Sequence, residues 1–264
     1  MASHTALDSL VSRFRPRSDR SVAVLAVPAA AVALFALVYR DYTAWLDFHP
    51  GGTPPTWQGY GKMSWLRLRR FLRIGSEGAR DLRDGSRILP EANEKREGGL
   101  EEEGWLRGKD ALPTRQGERP EMMSRPLPQR QKPQALPEEL KKRLFAIIPS
   151  LHAQRPDLVS LNLSVTEGKS SDALFTRVSS PPPEAEIVKK ELAHVHPADN
   201  SLHLLLAPQD AKEVVEKGWG ERFVIEWVSS GWVMLYAPRT EGDLEVVERI
   251  VRAAVSFGTC TSII

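Results

Sequence analysis

Residues 191–206, Glu-Leu-Ala-His-Val-His-Pro-Ala-Asp-Asn-Ser-Leu-His-Leu-Leu-Leu, decide how this 264-residue chain is read. Apolar residues alternate on both sides of Pro197-Ala198-Asp199-Asn200, a cluster of turn-forming residues, and that pattern predicts a β-hairpin. Three of the six histidines of the chain fall inside it. A turn centred on Asp199-Asn200 sets Ala198 opposite Ser201 and His196 opposite His203. Side chains alternate along a strand, so His194 shares their face, diagonal to His203. Three imidazoles then converge on one surface. Such a set can hold a tetrahedral metal with one open position. Without metal it can supply a general base and two hydrogen-bond donors. It can also be a group of half-buried histidines bonded to backbone carbonyls. No CxxC or HExxH motif lies nearby, and Glu191 is the adjacent upstream carboxylate.

Outward from the hairpin, strands and helices mix. Pro137-Glu138-Glu139 opens a helix with Leu140, Leu144, Ile147 and Ile148 at helical spacing. Val159–Val165 alternates cleanly as a strand, and Ala173–Val178 is a weaker one before the Pro181-Pro182-Pro183 breaker. The hairpin strands run over Ile187–His196 and Leu202–Leu206. Pro208–Lys217 reads as a short helix ended by Gly218, and Trp232–Ala237 as a further strand. Thr240, three residues before Asp243, resembles a capping box. It opens a last helix with Leu244, Val247, Ile250, Val251 and Ala254 on one side. Without βαβ alternation the class is α+β, a mainly antiparallel sheet with flanking helices. No P-loop, GxGxxG or Gly-x-Ser-x-Gly motif is present.

The N-terminal half is organised differently. Val22 to Tyr39 is an 18-residue uncharged apolar run, flanked by Arg13, Arg15, Arg17 and Arg20 before it and Arg40-Asp41 after it. About 20 apolar residues span a bilayer, and a cleaved signal would be shorter and followed by a cleavage site. The run therefore predicts an uncleaved, single-pass membrane anchor at 21–40, behind a basic tail at 1–20. Arginines on both sides leave its orientation open, and Asn162-Leu163-Ser164 would accept glycan only in a lumenal domain. Residues 64–74 place Trp65, Leu68, Phe71 and Leu72 at helical spacing with arginines opposite. That is a basic amphipathic helix, on a membrane surface or packed on the domain. From Gly75 to Leu136 periodicity is lost, and six prolines fall between Pro113 and Pro137, a linker composition. Lys and Arg total 36 against 34 Asp and Glu, a balance that gives no footprint for nucleic acid. Cys260 alone excludes an intramolecular disulfide.

Four motifs in the domain carry a resemblance. Glu191-Leu-Ala-His-Val-His196, Ser201-Leu-His-Leu-Leu-Leu206, Lys217-Gly-Trp-Gly-Glu221 and Leu235-Tyr-Ala-Pro-Arg239 together resemble the fungal luciferase family. The apolar segment from Ser21 with Arg40-Asp41-Tyr42 is similar to the N-terminal segment of that family. So are Leu112-Pro-Thr-Arg-Gln-Gly-Glu-Arg-Pro120 and Pro128-Gln-Arg-Gln131. The resemblance thus replaces the linker reading at 112–131 with an ordered arm wrapping onto the domain. It covers roughly 21–257 and divides the chain into a tail at 1–20, an anchor at 21–40, an amphipathic helix and arm at 41–136, and the domain at 137–258.

Best-known members of this family oxidise 3-hydroxyhispidin with molecular oxygen and emit green light. The resemblance implies a membrane-anchored oxygenase of the endoplasmic reticulum. It needs no flavin, nicotinamide or ATP as cofactor, takes oxygen as co-substrate, and acts on a hispidin-like aromatic pyrone. Such an enzyme must take the enol proton, stabilise the oxyanion and keep water from the excited product. His194, His196 and His203 are the candidates for base and donors, and Arg239 for balancing the anion. Trp219, Trp232 and Tyr236 are candidate walls of the pocket, and Glu191 a candidate orienter of a histidine. One departure stands out. In luminous members Gly-Trp-Gly runs on into Arg-His-Pro-Leu-Ala-Gly, whereas here Arg222 is followed by Phe223-Val224-Ile225-Glu226-Trp227. Two alternatives remain: a metal-dependent enzyme with the three histidines as ligands, and a non-enzymatic binding homologue.

Overall fold

Six strands form one antiparallel sheet, β1 (Val159–Leu163), β2 (Asp172–Thr176), β3 (Glu191–Val195), β4 (Leu202–Leu205), β5 (Gly220–Arg222) and β6 (Trp232–Leu235), in the order β1-β2-β3-β4-β6-β5. This computed structural model describes residues 19–47, 51, 53–74, 82–88, 104–225 and 228–263. The basic tail, apart from Asp19 and Arg20, and Trp227 lie outside them. The helices are α1 (Asp19–Asp47), α2 (Trp57–Ile74), α3 (Glu138–Gln154), α4 (Pro183–Ile187), α5 (Pro208–Glu216) and α6 (Glu241–Thr259). Helix α1 belongs to one unit, residues 1–48, and the rest to a second.

The sheet buries one face under α3 and α6. Leu140, Leu144, Ile147, Ile148 and Leu151 of α3, and Leu244, Val247, Ile250, Val251 and Ala254 of α6, are buried in a single core with Leu174, Val195 and Leu204 of the strands. These are the stripes expected from the 3.6-residue period. Gly258 on α6 has no Cβ because Leu192 stands in its place: an added Cβ would lie 2.2 Å from Leu192 Cδ2. Helix α6 is capped as its sequence predicts, Thr240 Oγ1 accepting from the Asp243 N–H at 3.1 Å. The reciprocal carboxylate bond reaches the N–H of Arg239 rather than of the cap residue, at 2.9 Å. Gly218 ends α5 in the left-handed region, φ +78°.

Two strand expectations need correction. The strand expected over Ile187–His196 starts only at Glu191. Pro182 and Pro183 set the backbone for a short helix instead, α4, and Lys189 and Lys190 at φ 57° and 66° turn the chain into the strand. Strand β5 has three residues, too few to show a period. The hairpin register is also shifted by two residues: His194, not His196, pairs with His203, and the His196 N–H donates to Ser201 O at 2.8 Å. The loop is Pro197–Asn200, closed by Asn200 N–H to His196 O (3.0 Å) with Asn200 at φ 64°. A slip of one residue would have turned the set to the opposite face; a slip of two keeps all three histidines together.

On the second face the ladder lines up Ala173, His194, His203, Met234 and Glu221 in one row across five strands. The arm expected at 112–131 lies over this side. Arg115 N–H donates to Lys217 O (2.9 Å), and Gln131 Oε1 accepts from the Ala237 N–H (2.9 Å). Among the described residues no helix is long and apolar enough to cross a membrane, so these residues do not support the span expected at 21–40. The apolar stretch whose side chains are described runs from Ala26 to Tyr39, all exposed, before Arg40-Asp41. Val22 to Leu25 continue the run in sequence, but their side chains lie outside the description.

Candidate active site

A β-bulge sets the acid beside the base. Residues three apart in a strand point to opposite faces, yet Glu191 and His194 meet, His194 Nδ1 lying 2.6 Å from Glu191 Oε1. The register between β2 and β3 shifts at Leu174/Phe175, so Phe175 faces Glu191 and Leu192 is the extra residue. Leu192 then joins Ala193 in the core, and Glu191 is re-aimed onto the face of the histidines. Its carboxylate accepts from Ser164 Oγ (2.7 Å), Thr166 Oγ1 (2.8 Å) and the backbone N–H groups of Val165 (2.9 Å) and Thr166 (3.0 Å). All these donors come from the β1–β2 loop folded over the sheet.

The three imidazoles meet nitrogen to nitrogen. His196 Nε2 is 3.1 Å from His194 Nε2 and 2.9 Å from His203 Nδ1. His196 Nδ1 faces Ser201 Oγ at 2.7 Å, and that hydroxyl donates to Asp199 Oδ2 at 2.7 Å. His203 stacks on Trp232, centroids 5.8 Å apart with an 18° interplanar angle, and meets Phe223 edge-on at 5.1 Å. His194 lies 6.0 Å from the Trp232 ring. Glu191, His194, His196 and His203 are all buried.

Arg130, reaching in from the arm, supplies the buried cation. It pairs with Glu167 and lies 3.7 Å from Asp199 Oδ1, and Glu167 Oε2 is 3.7 Å from His194 Nε2. The neighbouring backbone is pinned by Asp199, whose Oδ2 accepts from the Gln131 N–H at 2.9 Å. Burial sets the charge states here. Desolvation lowers the pKa of His194, which the Glu191 carboxylate partly offsets. It takes His196 and His203 well below 6.5, helped by Arg130 and the neighbouring imidazoles. Desolvation pushes Asp199 up to about 6 and brings Arg130 down to about 10. For Glu191 desolvation acts upward, but the bonds from His194, Ser164 and Thr166 outweigh it and hold the carboxyl below its usual range.

Five of the eight residues singled out from the sequence come together: His194, His196, His203, Glu191 and Trp232. The other three hold the arm. Arg239 binds the backbone carbonyls of Gln116 and Glu118 and lies 3.7 Å from Asp243. Trp219 Nε1 donates to Pro113 O (2.7 Å), beneath the Arg115 guanidinium. Tyr236 accepts from Arg119 Nε (2.9 Å) next to Glu221, which also takes Gln129 Nε2 at 2.8 Å. The site contains four polar residues that hairpin reasoning missed: Arg130, Glu167, Asp199 and Ser201. Arg130 stands inside the Pro128-Gln-Arg-Gln131 motif, a usable signal. Glu167 sits in a loop with no pattern to mark it.

A family model, the Luciferase domain, matches residues 189–254, from the start of the histidine hairpin into α6. A luciferase of Neonothopanus nambi is 34 % identical over 278 residues, covering 98 % of this chain and 96 % of that one. The chain belongs to the fungal luciferase family. A luciferase of Armillaria mellea is likewise 34 % identical, over 269 residues, covering 95 % of this chain and 93 % of that protein. No solved structure matches the chain. Within the luciferase frame, the departing segment after Arg222 bears on the site directly, because its first residue, Phe223, lies against His203.

Proposed function

We propose that this luciferase-family chain is an oxygen-using oxidoreductase acting on a 3-hydroxyhispidin-like pyrone. The supporting observation is the carboxylate-backed imidazole cluster. Glu191 takes the Nδ1 proton of His194 and leaves a lone pair on Nε2, pointing at the other two rings. That is the arrangement of a general base held in one tautomer, with a negative charge behind it to stabilise the imidazolium. Arg130, not the Arg239 of the sequence reading, is the buried cation beside the cluster, and its charge is shared between Glu167 and Asp199. Trp232, stacked on His203, and Phe223, edge-on to it, give the cluster an apolar surround that keeps water away. The reading calls for no flavin, nicotinamide or ATP.

Attachment to a membrane, single-pass and at the endoplasmic reticulum, is part of the same proposal. It is supported by the apolar run from Val22 to Tyr39, of which Val27, Val32, Leu34, Phe35 and Leu37 are exposed. A helix apolar on every side finds its solvent in lipid. On α2, Trp65, Leu68, Phe71 and Leu72 are exposed as well, at 53 %, 53 %, 71 % and 73 %. A lipophilic pyrone would be met where it partitions. Resistance of the full chain to alkaline extraction from membranes supports attachment; release into the supernatant overturns it.

The experiment that tests the reaction supplies membranes expressing the chain with 3-hydroxyhispidin in air. Photons, oxygen uptake and product mass are recorded together, with His196→Ala as control. Oxygen uptake lost in the control is the expected result, and light emission classes the protein as a luciferase. Phe223 against His203 favours a second reading, a binding homologue without turnover. Tight pyrone binding with no oxygen consumed would replace the first reading by that one.

A further inference from the structure

We propose that His194 Nε2, His196 Nε2 and His203 Nδ1 form the three-nitrogen seat of a divalent transition-metal ion. Each of the three rings offers one nitrogen, and those atoms lie within 4.8 Å of one another. Two of the separations are 2.9 and 3.1 Å. Metal–nitrogen bonds of about 2.05 Å at tetrahedral angles require nitrogens about 3.4 Å apart, a few tenths of an ångström wider.

Proton accounting carries the argument. Glu191 accepts the Nδ1 proton of His194, and Ser201, its own proton committed to Asp199, accepts that of His196. Each of these rings therefore turns a bare Nε2 lone pair to the other across 3.1 Å. A proton on His203 Nδ1 satisfies His196 and leaves His203 Nε2 a bare acceptor. A proton on His203 Nε2 leaves three lone pairs facing one another. In both cases a nitrogen stays unsatisfied, and His203 Nε2 is buried without a hydrogen-bond partner. Buried polar atoms in that state are costly. A cation at the centre satisfies all three lone pairs at once, and the group then left without a partner is the His203 Nε2–H.

Charge points the same way. Around the cluster Glu191, Glu167 and Asp199 are buried with one guanidinium, Arg130. Three negative charges against one positive leave a surplus of two, which a divalent ion cancels. Acceptors behind His194 and His196 fix ring and tautomer, as they do for metal-bound imidazoles. Neutral imidazole suits zinc, iron, copper and nickel, and three protein nitrogens leave a fourth position open. Glu167 stands outside the three-atom convergence, but its Oε2 is 3.7 Å from His194 Nε2, placed to take a proton from whatever fills that position. The seat goes beyond the proposed reaction. It rests on that reading only in giving the open position to the substrate's enol oxygen, whose proton the ion would acidify and Glu167, in place of the ligated His194, would take.

The test strips the full-length protein with chelator and titrates it with cobalt(II), followed by visible ligand-field absorption and metal content. One ion per chain with the bands of a four-coordinate site is expected. His196→Gln and His203→Gln should weaken binding by about 100-fold or more, while His152→Gln, outside the site, leaves it unchanged. A higher melting temperature with metal in the wild type serves should a variant fail to fold. Absence of stoichiometric binding by the wild type at micromolar cobalt, or binding retained in both folded site variants, overturns the seat. Titration and turnover fail separately. A chain that binds cobalt but consumes no oxygen sinks the proposed reaction and keeps the seat; full turnover by protein that binds no metal does the reverse.

Discussion

At the scale of the residue, the bond between Glu191 and His194 fixes the chemistry of the cluster. Glu191→Gln keeps the shape but not the acceptor pattern. Glutamine must keep its one oxygen toward the Val165 and Thr166 N–H groups, because those donors cannot turn. Its amide then faces His194 Nδ1 and drives the ring proton to Nε2, into the cluster. We expect kcat for oxygen uptake to fall about 100-fold with little change in KM; an unchanged kcat would remove His194 from the base role. The cluster also makes stability depend on pH. His203 is held neutral in the fold well below 6.5, whereas the unfolded chain protonates it at its ordinary value. Its contribution is therefore present above pH 6.5 and is lost as pH falls through that value. Asp199 and Asp210, raised to about 6, act oppositely, taking up protons in the fold that the unfolded chain refuses until about pH 4. A difference between proteins isolates one histidine. In chelator, His203→Gln should flatten the fall of unfolding free energy below pH 6.5, with about 1.4 kcal/mol per pH unit as the upper limit. Urea titrations of both proteins with parallel pH slopes would mean that His203 is already charged in the fold.

At the scale of the element, helix α6 and strand β3 fit together through a missing side chain. Gly258→Ala places a methyl group 2.2 Å from Leu192 Cδ2 and 3.0 Å from its Cγ, so the leucine must leave its rotamer. The expected loss is about 1–3 kcal/mol in urea denaturation. Because Leu192 is the bulged residue, the same substitution should also disturb Glu191 and reduce activity. A variant as stable and active as the wild type would show that the helix stands further off. The helices themselves were legible: the stripes at 140–148 and 244–254 face the core, and Thr240 caps as its spacing predicts. The bulge was not. Whether a strand carries an extra residue depends on its pairing with the neighbouring strand, which no pattern within β3 itself shows.

At the scale of the whole molecule, the arm closes the histidine face through Arg130. Replacing it by methionine leaves Glu167 and Asp199 buried without their cation, a loss of about 3–5 kcal/mol. Released from that anchor, residues 112–131 should be cut by trypsin after Arg115, which no proline follows, much sooner than in the wild type. Equal digestion rates would mean that the Arg115 and Gln129 contacts hold the arm by themselves. The arm was visible in the sequence only through its resemblance to a family. Its composition, with six prolines between Pro113 and Pro137, reads as linker because composition carries no information about a partner surface.

The periodicities of 3.6 and 2, the turn residues of 197–200 and the parity of His194, His196 and His203 are local, and these the sequence determined alone. They gave the α+β class, the hairpin and the common face of the three rings. The two-residue register and the aim of Glu191 depend on how neighbouring strands and the β1–β2 loop pack, and the entry of Arg130 on contact with an arm distant along the chain. Only the tertiary structure decides those, since the energy that selects them comes from burying and pairing groups that no local pattern relates.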